Sequence, residues 1–400
     1  MILGVNIKNF DIFNDDTIGL MIDDSAKFVG TKPSERGIRL RNLNALIGRN
    51  NTGKTAFIRA LSFVKRCILT DVAQASTKDD RPGFMNLLID KDQPAQFRLF
   101  FRIRDNETGR SDFIQYELTI GASKFGSPIV KEEKVLSSEK SEDGIKIREV
   151  LVNSEQSRIV NDERITALSI YGRIAAGDEA VQLVLDEISK WFFCAFSAED
   201  VSDYFSSGNA PGGHKHLNSE GTNVGNVLDY FKSLNDGSYE KLLEEIESKI
   251  PAMKKKKNLP VNLEGSHEKL FKYLLLLRDP VPKTTIFIET PDRDLYHDMV
   301  DVLADEMREF TLAHPYSQII FSTHNPYIVE TMSPKEIWVF SRDIDDNSGE
   351  YLDVNVRCAG TDPVVNELFE QGVGMGAIWY GGHLDQGSSE YDEDGVNNAH

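Results

Sequence analysis

Between residues 284 and 322 the chain carries two unbroken apolar runs, TTIFI at 284–288 and SQIIFS at 317–322. Between them Leu295, Met299, Leu303, Met307 and Phe310 recur at helical spacing. Short continuous apolar runs predict strands buried on both faces, and the intervening periodicity predicts a helix over 295–311. Strand, helix, strand is the repeating unit of a parallel α/β sheet. The same alternation appears near the start, where the run at 43–47 enters a glycine-containing loop. Beyond that loop Phe57, Ala60, Leu61, Val64 and Ile68 share one helix face, from Thr55 onward. Alternating runs and turns over 1–56, and the segments FRLFFRIR and DFIQYELTI within 96–120, predict β-strands. Further helices are predicted at about 178–193, 224–234, 239–250 and 266–277. Residues 131–165, charged and poor in large apolar groups, read as exposed hairpins or loops, and 206–226 as the most loop-like stretch inside the chain. The expected organisation is a head over 1–357 with a β-rich N-terminal lobe and an inserted, largely helical region at about 165–280. An acidic segment over 358–400 follows.

Composition narrows the class. Four hundred residues, 40% of them hydrophobic, suffice for one large domain or two to three small ones with no disulfide or metal staple. Cys67, Cys194 and Cys358 are odd in number, far apart and without a CxxC spacing, which predicts reduced thiols in a cytoplasmic protein. The most apolar run, 273–277, is too short to cross a bilayer, and no signal peptide is expected. The net charge is −19, yet eight of the acids follow Arg357, after which no Lys or Arg occurs, leaving −11 for residues 1–357. Such a chain is not a general DNA-coating surface.

The strongest chemical signal is Gly48-Arg49-Asn50-Asn51-Thr52-Gly53-Lys54-Thr55, a GxxxxGK[ST] match between a predicted strand and a predicted helix. Its glycines let the loop curl so that the N–H groups of Asn50, Asn51, Thr52 and their neighbours face phosphate oxygens, and the helix N-terminus adds partial positive charge. Lys54 neutralises the β and γ phosphates and the Thr55 hydroxyl coordinates Mg²⁺. Such a loop needs a carboxylate at the end of a neighbouring strand to hold the metal. Glu289, closing the run at 284–288, is the candidate, with a plain turn start as the alternative. His324, after the run at 317–322, is either a turn histidine or a sensor aimed at the γ-phosphate.

These residues carry a resemblance. Gly48 to Thr55, the strand ending in Glu289 and Ser322-Thr323-His324-Asn325-Pro326, in that order with a long insertion between the first two, resemble the ABC-type ATPase heads of the SMC and RecF class. More closely, they are similar to compact bacterial ATPases that include the ATP-binding half of overcoming-lysogenization-defect nucleases and the ATPases of anti-phage defence systems. The resemblance covers about residues 1–345. It implies an α/β P-loop ABC-type ATPase head that binds ATP and Mg²⁺ and forms a homodimer or higher homo-oligomer through its heads. Two departures matter. The family's strand usually ends in two acids, the first serving Mg²⁺ and the second polarising the attacking water, and Thr290 takes the second place here. A hydroxyl is no general base near neutral pH, so hydrolysis is expected to be slow or partner-dependent unless Asp292, Asp294 or a partner residue substitutes. The family's signature motif, roughly Ser-Asp/Glu-Gly-Thr at a helix start, binds ATP held by the opposite subunit. Leu263-Glu264-Gly265-Ser266 keeps the acid, glycine and hydroxyl, so Gly265 and Ser266 are expected at phosphate, with a capped helix start as the alternative. Of the family's Q-loop glutamine there is no firm counterpart, although Gln93 and Gln96 lie near the expected region.

Lesser features complete the reading. His214 and His216 lack further ligands at metal spacing. The lysine run at 254–257 reads as a solvated turn rather than a DNA contact. Trp379 and Tyr380, in the Gly-rich stretch 372–382, are equally compatible with docking on the chain's own head or on a partner. No long heptad run separates residues 56 and 284, which argues against a coiled-coil arm, and the 76 residues after His324 hold no nuclease block. The expected function is therefore a nucleotide-gated platform or sensor controlling a separate effector, a nuclease or toxin, in anti-phage defence. Any nucleic acid is reached indirectly through that partner, and no membrane is involved. An SMC/RecF-like repair ATPase binding DNA ends or duplex is the alternative.

Overall fold

A computed structural model describes residues 1–22, 28–29, 38–77, 83–104, 111–141, 144–174, 177–197, 215–250, 265–344 and 351–384. His214, the lysine run at 254–257, Leu263, Glu264 and the acidic end from 385 lie outside the described residues. In chain order the elements begin with β1 (Ile2–Phe10), β2 (Phe13–Gly19), β3 (Met21–Ile22), β4 (Phe28–Val29) and β5 (Leu43–Ile47). Next come α1 (Lys54–Leu69), α2 (Val72–Thr77), β6 (Ala95–Arg104), β7 (Ser111–Ala122), β8 (Pro128–Ser141) and β9 (Gly144–Ser154). Then follow α3 (Ala167–Tyr171), α4 (Glu179–Ser189), β10 (Phe192–Cys194), α5 (Val224–Ser233), α6 (Ser238–Lys249) and α7 (Ser266–Leu277). The last third holds β11 (Thr285–Glu289), α8 (His297–Ala313), β12 (Gln318–Ser322), β13 (Ile337–Ile344), β14 (Tyr351–Cys358), α9 (Pro363–Glu370) and α10 (Met375–Tyr380).

Two six-stranded sheets organise these elements. The first is antiparallel, in the order β2-β1-β6-β7-β8-β9. The second, β10-β11-β12-β5-β13-β14, is parallel except for its edge strand β14. The parallel strands are buried on both faces, which is why they read as unbroken apolar runs. On β5, Leu46 faces a core shared with α1 and the antiparallel sheet, whereas Leu43, Ala45 and Ile47 face a second core built by α5 to α8. The predicted face of α8 is buried as spaced, through Met299, Leu303, Met307 and Phe310. Gln318, fully buried, clamps the two sheets. Its carbonyl accepts from the Ile2 N–H at 3.0 Å, and its amide donates to Ile2 O at 2.9 Å and Arg41 O at 2.7 Å.

Two expectations are corrected. Residues 178–193 are not one helix: α4 stops at Ser189, and Phe192 to Cys194 form β10, pairing in parallel with β11. Phe193 stacks on its register partner Phe287, ring centroids 4.4 Å apart and planes within 5°, so the aromatic pair recruits this segment to the sheet. The region at 165–280, expected as largely helical, also supplies this edge strand. For residues 131–165, expected as exposed hairpins or loops, the hairpin is what forms, from most of β8 and all of β9. Residues 359–384, expected with an acidic appendage, fold onto the head, with Val365, Met375, Ile378 and Leu384 in the second core. All three cysteines are buried and none is in a disulfide, and no helix among the described residues is long and apolar enough to cross a membrane.

The inward face of β8 holds a buried carboxylate, Glu133. It accepts from the Tyr116 hydroxyl at 2.8 Å, from the Leu168 N–H at 3.0 Å and from the Ala167 N–H, which caps the start of α3. Burial raises its pKa to about 7 despite these donors. Below the unfolded value the folded chain holds a proton here that it loses as pH rises through about 7, so this group's contribution to stability falls over that interval. Thermal unfolding followed from about pH 5 to about pH 8 should show this loss, on the order of 3 kcal/mol, in the wild type and not in Glu133→Gln.

Candidate functional site

The loop between β5 and α1 is shaped by three residues at positive φ: Gly48 (137°), Asn51 (62°) and Gly53 (111°). At Gly48 only a hydrogen fits, since a Cβ there would lie 2.1 Å from the Phe340 carbonyl oxygen of β13. Gly53 caps α1, and Lys54 opens it. The Lys54 ammonium turns back into the loop, donating to Gly48 O at 2.8 Å and Arg49 O at 2.7 Å. The Thr52 hydroxyl in turn donates to Arg49 O at 2.9 Å. Burial lowers the Lys54 pKa to about 8. A phosphate would give this buried ammonium a counter-charge that the loop carbonyls supply only as partial charge.

Two clefts meet at Thr55. One, of about 620 Å³, is lined by the loop from Asn50 to Ala56 together with Arg59, Thr290, Ser322, His324 and Arg342. The other, of about 430 Å³, is lined by Thr55, Glu289, Arg59, Arg66, Cys194 and Glu220 among others. The structure therefore brings Lys54, Thr55 and His324 together, and places Glu289 on the Thr55 side. A hydroxyl and a carboxylate are oxygen donors suited to Mg²⁺, and these two residues would hold it. Thr290, one residue on, lines the Lys54 cleft. It stands at φ 41°, its N–H donating to Ser322 O at 3.1 Å and to the Ser322 hydroxyl at 3.2 Å. His324 sits at the mouth. Partial burial and the charge of Lys54 lower its pKa, while a hydrogen bond to the Gly48 backbone raises it, and the net result is below the ordinary value. The ring is neutral at neutral pH, and its one N–H, donated here to the Gly48 backbone, would have to be re-aimed to meet a phosphate.

Gly265 and Ser266 are not among the residues lining either cleft. They open α7, where the Ser266 hydroxyl donates to Asp294 O and the buried Lys269 ammonium donates to Arg293 O at 2.5 Å and reaches Thr290 O at 3.5 Å. The start of α7 is thereby bolted to the turn that carries Thr290. Asp292 and Asp294 line neither cleft. Asp292 is turned inward toward Thr323, and burial raises its pKa. Its orientation makes it no ready substitute for an acid at position 290.

The other sequence candidates separate from this site. His216 bonds to Asp279 at 2.9 Å, and among the described residues no group of three or more His, Cys, Asp or Glu could hold a metal. Gln96 lies on β6 of the antiparallel sheet, the Gln93 carbonyl accepts from Asn9 at 2.8 Å, and neither lines a cleft. Cys194, at the end of β10, lines the Thr55 side instead. Several lining residues escaped the sequence reading. Arg59, paired with Asp11 at 3.3 Å, stands four residues after Thr55 on the same helix face, a spacing that could have revealed it. Asp11, in the turn between β1 and β2, and Arg342, on β13, arrive with no local signal.

Residues 253–330 match the family described as "AAA domain, putative AbiEii toxin, Type IV TA system". This segment includes Glu289 and His324. Comparison with curated proteins by sequence gives no match. Among solved structures, the chain is similar to an SMC head bound to the C-terminal winged-helix domain of ScpA, with 12% identity, 89% of this chain and 97% of that one covered, and a TM-score of 0.46. The SMC head domain from Thermotoga maritima gives 13% identity, 89% and 98% coverage, and a TM-score of 0.39. An SMC head with an extended coiled coil, bound to the C-terminal domain of ScpA derived from Pyrococcus furiosus, gives 11% identity, 92% and 98% coverage, and 0.45. The α/β fold class is the expected one, and it rests on the chain's own topology: a glycine-bearing loop leaving a parallel sheet, with the acid-ended and histidine-ended strands beside it.

The two loop glycines differ in what surrounds them. Gly48→Ala meets a backbone oxygen that cannot move, whereas Gly53→Ala meets only the tip of Ile12, at 3.0 Å. Urea unfolding should show Gly48→Ala less stable by about 3 kcal/mol or more, and Gly53→Ala by about half as much, mainly from its positive φ.

Proposed function

We propose that the chain is a cytoplasmic, ATP-binding platform whose heads close over Mg-ATP, hold it, and by assembling control a separate effector, a nuclease or toxin, in bacterial anti-phage defence. When bound, Mg²⁺ would neutralise phosphate charge between Thr55 and Glu289. The chain's residues do the rest. Lys54 and the loop N–H groups bind the phosphates, His324 donates to the γ-phosphate, and Gly265 and Ser266 meet the nucleotide of a facing copy.

One observation carries the holding reading. Thr290 lines the Lys54 cleft where an acid would polarise the attacking water, and neither nearby aspartate lines that cleft. A neutral hydroxyl binds a water without deprotonating it, so turnover is slow and the ATP-bound state persists. The matching family's description names a toxin of a toxin–antitoxin system, which supports a chain acting within a multicomponent system.

Lys54→Ala should weaken ATP binding on the order of 100-fold, as expected for losing a charge-assisted phosphate contact. Thr290→Glu should raise single-turnover hydrolysis by roughly 10- to 100-fold, the lower part of the range for a general base. Retained ATP affinity in the first variant would sink the site assignment, and unchanged turnover in the second would sink the explanation of slow hydrolysis. Salt-resistant duplex binding by the chain alone would replace this reading with a DNA-repair ATPase.

A further inference from the structure

A groove of about 890 Å³ borders the nucleotide cleft on its far side, and His324 lines both. Its other walls come from Asp301 on α8, Tyr327 and Glu330 in the segment after His324, and Trp379 and Tyr380 on α10. The wall formed by α10 is firmly seated. The Glu330 carbonyl accepts from the Met375 N–H at 3.2 Å and its carboxylate from the Ala377 N–H at 3.1 Å. Gly376 has no room for a side chain, because a Cβ would lie 2.4 Å from Pro326 O. Trp379 packs partly into the second core, so the sequence ambiguity resolves toward docking on the chain's own head for that residue. Tyr380 does not: it is 88% exposed, and Tyr327, held against His297 in an edge-on contact at 4.6 Å, is 56% exposed.

The groove thus joins exposed aromatic rings to two carboxylates, Asp301 and Glu330, and among the described residues no Lys or Arg lines it. Aromatic faces and a carboxylate are the partners of a guanidinium, which stacks on the one and forks onto the other. Exposed tyrosines and a tryptophan are also the side chains on which binding energy concentrates at protein interfaces. The chain's own acidic end is the wrong sign for this groove. Asp385, Glu390, Asp392, Glu393 and Asp394 come after α10 with no Lys or Arg among them, so that stretch does not supply the basic segment. We infer that this groove docks an arginine-bearing segment of a separate protein, placing that partner against the wall His324 shares with the nucleotide cleft. This deepens the proposed platform reading, which requires a partner without locating it.

The test uses the full chain without nucleotide, titrated with an octa-arginine peptide at physiological salt and read by tryptophan fluorescence. Trp191 and Trp338 are fully buried, so Trp379 is the reporter. A saturable signal is expected, weakened about tenfold by Asp301→Lys and several-fold by Tyr380→Ser. It should survive replacement of the five terminal acids by their amides. No signal, equal binding by Asp301→Lys, or loss on neutralising the terminal acids would overturn the assignment. So would a change of oligomeric state in Asp301→Lys, which would make a second copy the occupant. Because no nucleotide is needed, peptide binding at the groove in a chain that fails to bind ATP would sink the platform reading alone, and the converse result would sink the groove alone.

Discussion

The register of three parallel strands sets the site. Leu46 of β5 pairs with Ser322 of β12, and Ser322 pairs with Glu289 of β11, so the three strands end in one row. The row is extended by the Thr323 N–H to Leu46 O and the Thr290 N–H to Ser322 O, both at 3.1 Å. Within two residues of that row stand Gly48, His324 and Thr290. A slip of one residue in any strand would turn its apolar side chains to the wrong core and move its functional residue to the opposite face. Burial on both faces therefore fixes the chemistry indirectly: the strands are apolar apart from a few buried polar residues such as Asn44, Thr285 and Gln318, and the candidate site gathers where they end.

Charge is distributed against the average of the molecule. A chain of −19 presents Lys54, Arg59 and Arg342 to one cleft, with a helix N-terminus pointing at it. Lys54 is kept buried and only partly compensated, so the site suits an anion. The α7 start is held to the Thr290 turn through Ser266 and Lys269, and α10 is held to the segment after His324 through Glu330. Both ends of the active row are thus mechanically joined to surfaces beyond it. Such joints are the physical route by which occupancy of the cleft can be read elsewhere, because a packed element has few intermediate positions.

Much of this was legible along the chain. The P-loop, the strand ending in Glu289, the strand before His324 and the helices at 224–234, 239–250 and 266–277 follow from glycine spacing and apolar periodicity, which encode geometry over a few residues. The misreadings share one cause. Phe192 to Cys194 look like a helix end until Phe193 finds Phe287 across a sheet. Glu133 looks solvated in a charged segment until Tyr116 and the start of α3 close over it. Asp292 looks like a spare base until Thr323 turns it inward.

By itself, then, the sequence determined that a phosphate-binding loop sits between a buried strand and a helix, and that an acid and a histidine end two further strands. The tertiary structure alone decided that those strands are neighbours in register, that Thr290 rather than a nearby aspartate lines the Lys54 cleft, and that α10 packs on the segment after His324. The division has a physical reason. Loop curl and helix face depend on dihedral angles and spacing within one segment, whereas strand order, side-chain burial and the orientation of a turn depend on partners hundreds of residues away, for which local pattern carries no term.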